Sequence, residues 1–367
     1  MPDPRVHKLA KILIHYSLDI KPGQKLRISA SPLVSEMTMA AYEEAIKAGA
    51  HVIVEQPSEE AMEIFYKFAS DEQLDFVSPV RKLIVETFDA DLRIDASSNR
   101  RMLSGVNPDR MARNAKARAE LSKLFMARSA RKELNWCLTV FPNNANAQDA
   151  DMSLRDYTEF VFAAGMLNEE NSIKFWKEEG ERQKKLVDWL TGRDRVVLKG
   201  SSIDMSFSIK DRMFEPCDGK YNFPDGEIFT GPVEDSASGW VRFKYPAIYM
   251  GQEITDIELW FENGKVMKET ASKNQELLTS TLNTDIGARY LGEWGIGTNY
   301  GITRFTKDML FDEKIGGTIH FATGAGYPET GSKNDSGIHW DMLCDMTNSE
   351  IMVDGELFYK DGKPVIG

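Results

Sequence analysis

The sequence predicts an α/β protein: an N-terminal open α/β sheet domain over residues 1–193, followed by a mainly β (α+β) C-terminal domain over 194–367. Three observations carry this. Strand-like and helix-like stretches alternate through the first half, the pattern of parallel sheets with crossover helices. After residue 195 the texture changes to short alternating runs separated by turns, the pattern of antiparallel sheets. Between them stands Thr191-Gly192-Arg193-Asp194, a turn where the domain boundary is placed. A chain of 367 residues also exceeds one typical small core.

The elements follow in order. Residues 4–18 place Val6, Leu9, Leu13 and Tyr16 at helical spacing, with Asp3 before Pro4 as N-cap. After a turn at Lys21-Pro22-Gly23, residues 25–29 alternate as a strand; 35–47 is an Ala- and Met-rich helix stopping at Gly49; 51–55 is a second strand. Residues 59–69 and 79–87 are helical and 91–95 a third strand. Asn107-Pro108 opens one long helix to about residue 128, and 134–140 is a fourth strand. Residues 154–190 read as helix. In the second half, 196–198, 203–209, 241–245, 254–261 and 265–267 are strands, the last two joined by the hairpin turn Glu262-Asn263-Gly264.

Composition excludes several function classes. The 57 acidic against 45 basic residues give a net charge of -12 without a basic stripe, which excludes a nucleic-acid footprint. No run reaches the roughly 18 apolar residues of a membrane span. The first residues lack a secretory pattern, and three scattered cysteines, Cys137, Cys217 and Cys344, form no disulfide framework; a reducing cytoplasmic setting is expected. Cys344 could be a soft metal ligand but reads as core. No GxGxxG or GKS/T loop follows a strand. His7, His15 and His51 are isolated and read as helix-face or strand residues.

The chemistry gathers in the second half. His320 and His339 are two of only five histidines, and Asp341 follows His339 by two positions, so on a strand the two side chains share a face. Tyr327 lies in the Gly-, Ser- and Asn-rich loop between them. Glu293 is a lone acid in the apolar, glycine-rich run LGEWGIG; its one nearby cation is Arg289, a candidate partner in a buried pair. Glu227, in PDGEIFT, reads on its own as a surface turn. Glu234, Asp235, Asp312 and Glu313 look like ordinary loop charges. Together Glu227, Glu293, His320, His339 and Asp341 are too many ligands for one catalytic zinc, and suit two divalent ions roughly 3.5–4 Å apart.

At PDGEIFTGPVEDSASG, RYLGEWGIGTN and IHFATGAGYPETGSKNDSGIHWDM the sequence resembles the thermophilic aminopeptidase family, the aminopeptidase T or S type. The resemblance puts metal ligands on Glu227, Glu293, His320, His339 and Asp341 and a catalytic role on Tyr327. Glu293 is a second candidate catalytic group. The resemblance implies a homodimer that releases N-terminal amino acids from peptides with a free N-terminus. The hydrolytic water is activated between two divalent ions; zinc, cobalt or manganese would each suit the donors. A second reading uses His320, His339 and Asp341 alone, on one iron, as in the ring-cleaving dihydroxypyridine dioxygenases that resemble this family.

Overall fold

The structure, a computed structural model, describes residues 3–249 and 251–366. It is a mixed α/β protein, with a parallel sheet in the N-terminal region and antiparallel sheets after it. The chain folds into two compact units. One runs to Ile173 and takes in Gly219–Pro224; the other holds Lys174–Asp218 and the chain from Asp225 onward.

In the first unit the strands Lys25–Ala30, His51–Glu55, Ala90–Asp95 and Asn135–Val140 pair in parallel, in the spatial order second, first, third, fourth. A short fifth strand, Asn222–Phe223, joins the edge. Nothing in its two-residue length distinguished it in the sequence. Arg27, in the strand Lys25–Ala30, ties it to both neighbours: its guanidinium meets Glu55 of one and Asp91 of the other, each at 2.6 Å. The expected caps are present, with Asp3 accepting from the Arg5 amide and Asn107 from the Asp109 amide. The expected helix over 107–128 is two helices, Pro108–Ala117 and Ala119–Ala130, because Arg118 takes a cap conformation between them. The stretch 154–190 is likewise two, Leu154–Ala164 and Ser172–Leu190, with the first ending at Gly165.

The second unit has two large antiparallel sheets and a small two-stranded one, Ala247–Tyr249 with Gln252–Ile254. One has eight strands, in the order Lys265–Thr270, Ile257–Glu262, Ser238–Phe243, Ile203–Ser208, Arg195–Lys199, Glu350–Val353, Glu356–Lys360, Lys363–Pro364. The hairpin turn is where the sequence places it, with Asn263 and Gly264 both at positive φ, 48° and 81°. The other sheet has five strands, in the order His339–Asp345, Thr318–Gly324, Leu291–Gly297, Glu227–Thr230, Glu215–Cys217.

A single core joins these sheets. Phe207 from the first packs edge-on against Trp294 and Phe321 of the second, with centroids 5.0 and 5.9 Å away. Val196, Met205, Val241 and Leu259 come from one side; Ile296, Ile319, Trp340, Met342 and Cys344 from the other. Cys344 is therefore core, as its sequence context suggested. Truncating Phe207 to alanine removes a ring that touches both aromatic partners. We expect a loss of about 3–5 kcal/mol, read as a lower urea midpoint with unchanged m-value; a shift under about 1 kcal/mol would show that the core does not depend on this contact.

Candidate metal centre

The five-stranded sheet builds the site by alternation. Side chains along a strand point to opposite faces in turn. In the register of the sheet, Gly297 lies opposite Glu227, Gly295 opposite His320, Ala322 opposite Glu293 and Asp341, and Gly324 opposite His339. Glu227, Glu293, His320, His339 and Asp341 therefore all project from one face, while Ile228, Trp294, Ile296, Phe321, Trp340 and Met342 project into the core. Between the polar side chains on that face stand Gly295, Gly297, Ala322 and Gly324, which leave room. Gly295 shows how much is needed: a methyl group there would sit 2.0 Å from the His320 ring. Just before Glu227, Gly226 turns the chain with φ of 125°, a conformation that L side chains rarely adopt.

The five side chains converge. The two oxygens of Glu293 face different imidazoles: Oε1 lies 3.2 Å from His320 Nε2, and Oε2 lies 3.2 Å from His339 Nε2. Glu227 Oε2 is 3.4 Å from His320 Nε2, and Asp341 Oδ2 is 3.5 Å from His339 Nε2. The donors fall into two trios, Glu227–Glu293–His320 and Glu293–His339–Asp341, each with its ligand atoms within 4.8 Å of one another. Glu293 belongs to both.

Each imidazole is aimed from behind. His320 Nδ1 donates to the Glu313 carbonyl at 3.1 Å and His339 Nδ1 to the Ala325 carbonyl at 2.7 Å. A carbonyl only accepts, so Nδ1 carries a proton and Nε2 is the atom turned to the carboxylates; the second proton that Glu293 holds on Nε2 must leave for that nitrogen to bind a cation. Glu227 Oε2 and Asp341 Oδ1 are buried with no hydrogen-bond partner. A buried carboxylate oxygen left unpaired is costly. The donor set therefore fits divalent cations, which would satisfy those oxygens and both imidazoles together.

The cluster is closed at one end and open at the other. The His320 side chain is 1% exposed, whereas that of His339 is 25% exposed. Tyr327 stands at the open end in the turn before Pro328–Thr330, its ring edge-on to His339 with centroids 5.0 Å apart, and beside Phe229 at 5.3 Å. Burial and the charges of Glu293 and Asp341 push its phenol pKa up, so it stays protonated and able to donate.

Several sequence readings change here. Glu227 is not in a surface turn: it opens a buried strand. Arg289 does not pair with Glu293; its partner is Glu269, at 2.9 Å. Glu234 is tied to Arg212 and to the Lys333 amide, outside the cluster. Asp312 and Glu313 are not ordinary loop charges. Asp312 is 1% exposed and accepts from the amide and hydroxyl of Thr306, and Glu313 supplies the carbonyl behind His320. Lys314, which sequence reasoning passed over, is fully buried with its Nζ 3.3 Å from Glu227 Oε1. No periodicity marks these three residues; only the fold gives Glu313 and Lys314 their contacts with the cluster and Asp312 its burial.

Imidazole and carboxylate donors on one buried sheet face are the equipment of a metallohydrolase. The chain matches the thermophilic metalloprotease (M29) model over residues 3–365, and it belongs to that family. It is 27% identical to aminopeptidase 2 of Geobacillus stearothermophilus, over 98% of this chain and 95% of that protein. Aminopeptidase T of Thermus thermophilus is 25% identical over 97% of this chain and 95% of its own length, and aminopeptidase AmpS of Bacillus subtilis 23% over 88% and 84%. The structure of wild-type AmpT from Thermus thermophilus superposes with a TM-score of 0.86 at 23% identity, covering 99% of each chain, so the two share a fold. Among the described residues no helix is long and apolar enough to cross a membrane.

The electrostatics give a test on stability. Burial opposes protonation of His320, but the hydrogen bond to Glu293 and the charges of Glu227 and Glu293 outweigh it and raise its pKa to about 10. The same balance raises His339 to about 9. Burial lifts Glu227 and Asp341 above the carboxylate range, against the opposing charges of Lys314 and His339 respectively. Glu293 alone goes down: its hydrogen bonds from both imidazoles overcome burial. The raised histidines stabilise the fold fully below their ordinary pKa of 6.5 and cease to as pH rises through 9 and 10. The raised carboxyls also lose stability with rising pH, whereas the Glu293 contribution is lost only in acid. In protein stripped of divalent ions by chelator, the urea midpoint should therefore fall between about pH 6.5 and 10. A flat or rising midpoint over that range contradicts this charge arrangement.

Proposed function

We propose that this chain is an aminopeptidase that removes N-terminal residues from peptides, using two divalent ions held by Glu227, Glu293, His320, His339 and Asp341. One observation carries the reading: the single carboxylate of Glu293 presents one oxygen to each of two imidazoles. Glu227, Glu293 and His320 would hold the inner ion, and Glu293, His339 and Asp341 the outer one. Zinc, cobalt and manganese all suit such donors. The aminopeptidases among the similar proteins support the exopeptidase assignment. A homodimer, expected from the family resemblance, and a cytoplasmic setting, expected from the scattered cysteines, belong to the same proposal. So does the division of labour in which residues 1–193 are scaffold and residues 194–367 carry the chemistry.

Bound ions supply a water of low proton affinity and positive charge for the scissile carbonyl. The residues do the rest. A carboxylate oxygen in the cluster takes the proton of the attacking water and passes it to the leaving amine as the C–O bond forms and the C–N bond breaks. Tyr327, at the open end, donates to the oxyanion of the tetrahedral species. The acidic surroundings favour the substrate's charged α-amine. The iron dioxygenase reading is not supported. It needs His320, His339 and Asp341 around one ion, but His320 falls in a different trio from the other two.

The test is a panel of aminoacyl-p-nitroanilides and dipeptides, with chelator and then with zinc, cobalt or manganese added back. Cleavage should vanish with chelator, return with metal, and fail on N-acetylated substrates. Tyr327→Phe should lower kcat by about 10²-fold or more while two ions stay bound. Glu293→Gln should lower kcat by a similar or larger factor and also reduce the metal content. Wild-type turnover in either variant removes that residue from the mechanism.

A further inference from the structure

Lys314 is a fully buried lysine beside the candidate metal centre. Burying an ammonium costs several kcal/mol unless it is closely paired. Here the Nζ lies 3.3 Å from Glu227 Oε1 and 3.9 Å from Asp225 Oδ1, and in direct contact with the Glu313 carboxylate. Its backbone is pinned as well: the Lys314 amide donates to the Phe311 carbonyl at 3.1 Å, and its carbonyl accepts from the Asn299 amide at 3.0 Å. The neighbouring Glu313 carbonyl takes the Nδ1 proton of His320. Two consecutive residues thus grip two ligands of the same trio from behind, one by a carbonyl and one by an ammonium. Among the described residues no ammonium is paired with a carboxylate of the other trio, where His339 is held by the Ala325 carbonyl and Asp341 Oδ1 has no hydrogen-bond partner.

On the two-ion reading above, we infer that Lys314 is a positioning residue for the inner metal ion alone. Its ammonium takes up Glu227 Oε1 and fixes the carboxylate so that only Oε2 is turned to the ion, beside the aimed Nε2 of His320. The lysine has an opposing effect too, since a positive charge this near repels a cation. The inference is that orientation outweighs repulsion, and the sign of the mutant effect decides it.

The experiment uses the full chain, stripped and titrated with cobalt against a chromophoric chelator that resolves two binding steps. Lys314→Met keeps much of the volume and removes the charge. It should weaken one binding step by about 10–100-fold, the usual effect of losing a group behind a ligand, and leave the other step unchanged. Tighter or unchanged binding at both steps overturns the inference, because repulsion or mere filling would then describe Lys314 better. Equal weakening of both steps also overturns it, as the mark of a general structural lesion. If Lys314→Met does not fold, Lys314→Met/Asp225→Asn, which removes one negative charge with the positive one, is read by the same criteria. Wild-type protein that binds fewer than two ions refutes the two-ion reading instead, whatever the variants do.

Discussion

The contact on which the second unit turns is that between Glu293 and the two imidazoles. A carboxylate placed in the interior is unstable unless its oxygens are claimed. Here each oxygen is claimed by a different histidine, and each histidine is held by a different backbone carbonyl. Shifting Glu293 therefore disturbs both trios at once. The surrounding sheet is built to prevent that. Leu291–Gly297 is an inner strand of the five-stranded sheet, and every one of its residues is buried. A bulge between Leu291 and Glu293 sets the local register against the Thr318–Gly324 strand.

Much of this was legible in the sequence because it obeys a period. Strand alternation made His339 and Asp341 neighbours on one face, and the oddity of an acid among glycines and apolar residues marked Glu293. The parallel and antiparallel halves followed from the same kind of reading, as did the hairpin turn at Asn263-Gly264. Family-specific blocks supplied the joining of Glu227 to the set. Its own surroundings did not, because a Pro-Asp-Gly turn before a short strand is indistinguishable from a surface loop until the sheet it enters is known.

The unreadable part has a common physical cause. Asp312, Glu313 and Lys314 lie in a short turn with no repeating pattern, and three charges in a row ordinarily indicate solvent. Lys314 is buried because Glu227 and Glu313 meet its charge, Asp312 because the Thr306 amide and hydroxyl take up its carboxylate, and Glu313 is half-buried between them. Arg289 misled for the complementary reason: four residues from Glu293 in sequence, it is drawn instead to Glu269 on another strand. Sequence proximity predicts pairing on a helix face, not along a strand that enters a sheet interior. The breaks in the helices at Arg118 and Gly165 also escaped, since neither interrupts the apolar spacing enough to announce itself.

The alternation that puts ligands on one face and core on the other leaves this sheet little freedom to vary in length. Sliding the His339–Asp345 strand by one position would turn Trp340 toward the cluster and bury Asp341 among aromatic rings. A single-residue insertion within any of the four ligand-bearing strands would therefore ruin the packing and the chemistry together, and no compensating change on one face could restore the other. A change of length is expected to be tolerated only in the connections between these strands, where it need not move the pleat. In a lineage of such proteins the strands would keep a fixed count of residues while the loops between them record the history of insertion and loss.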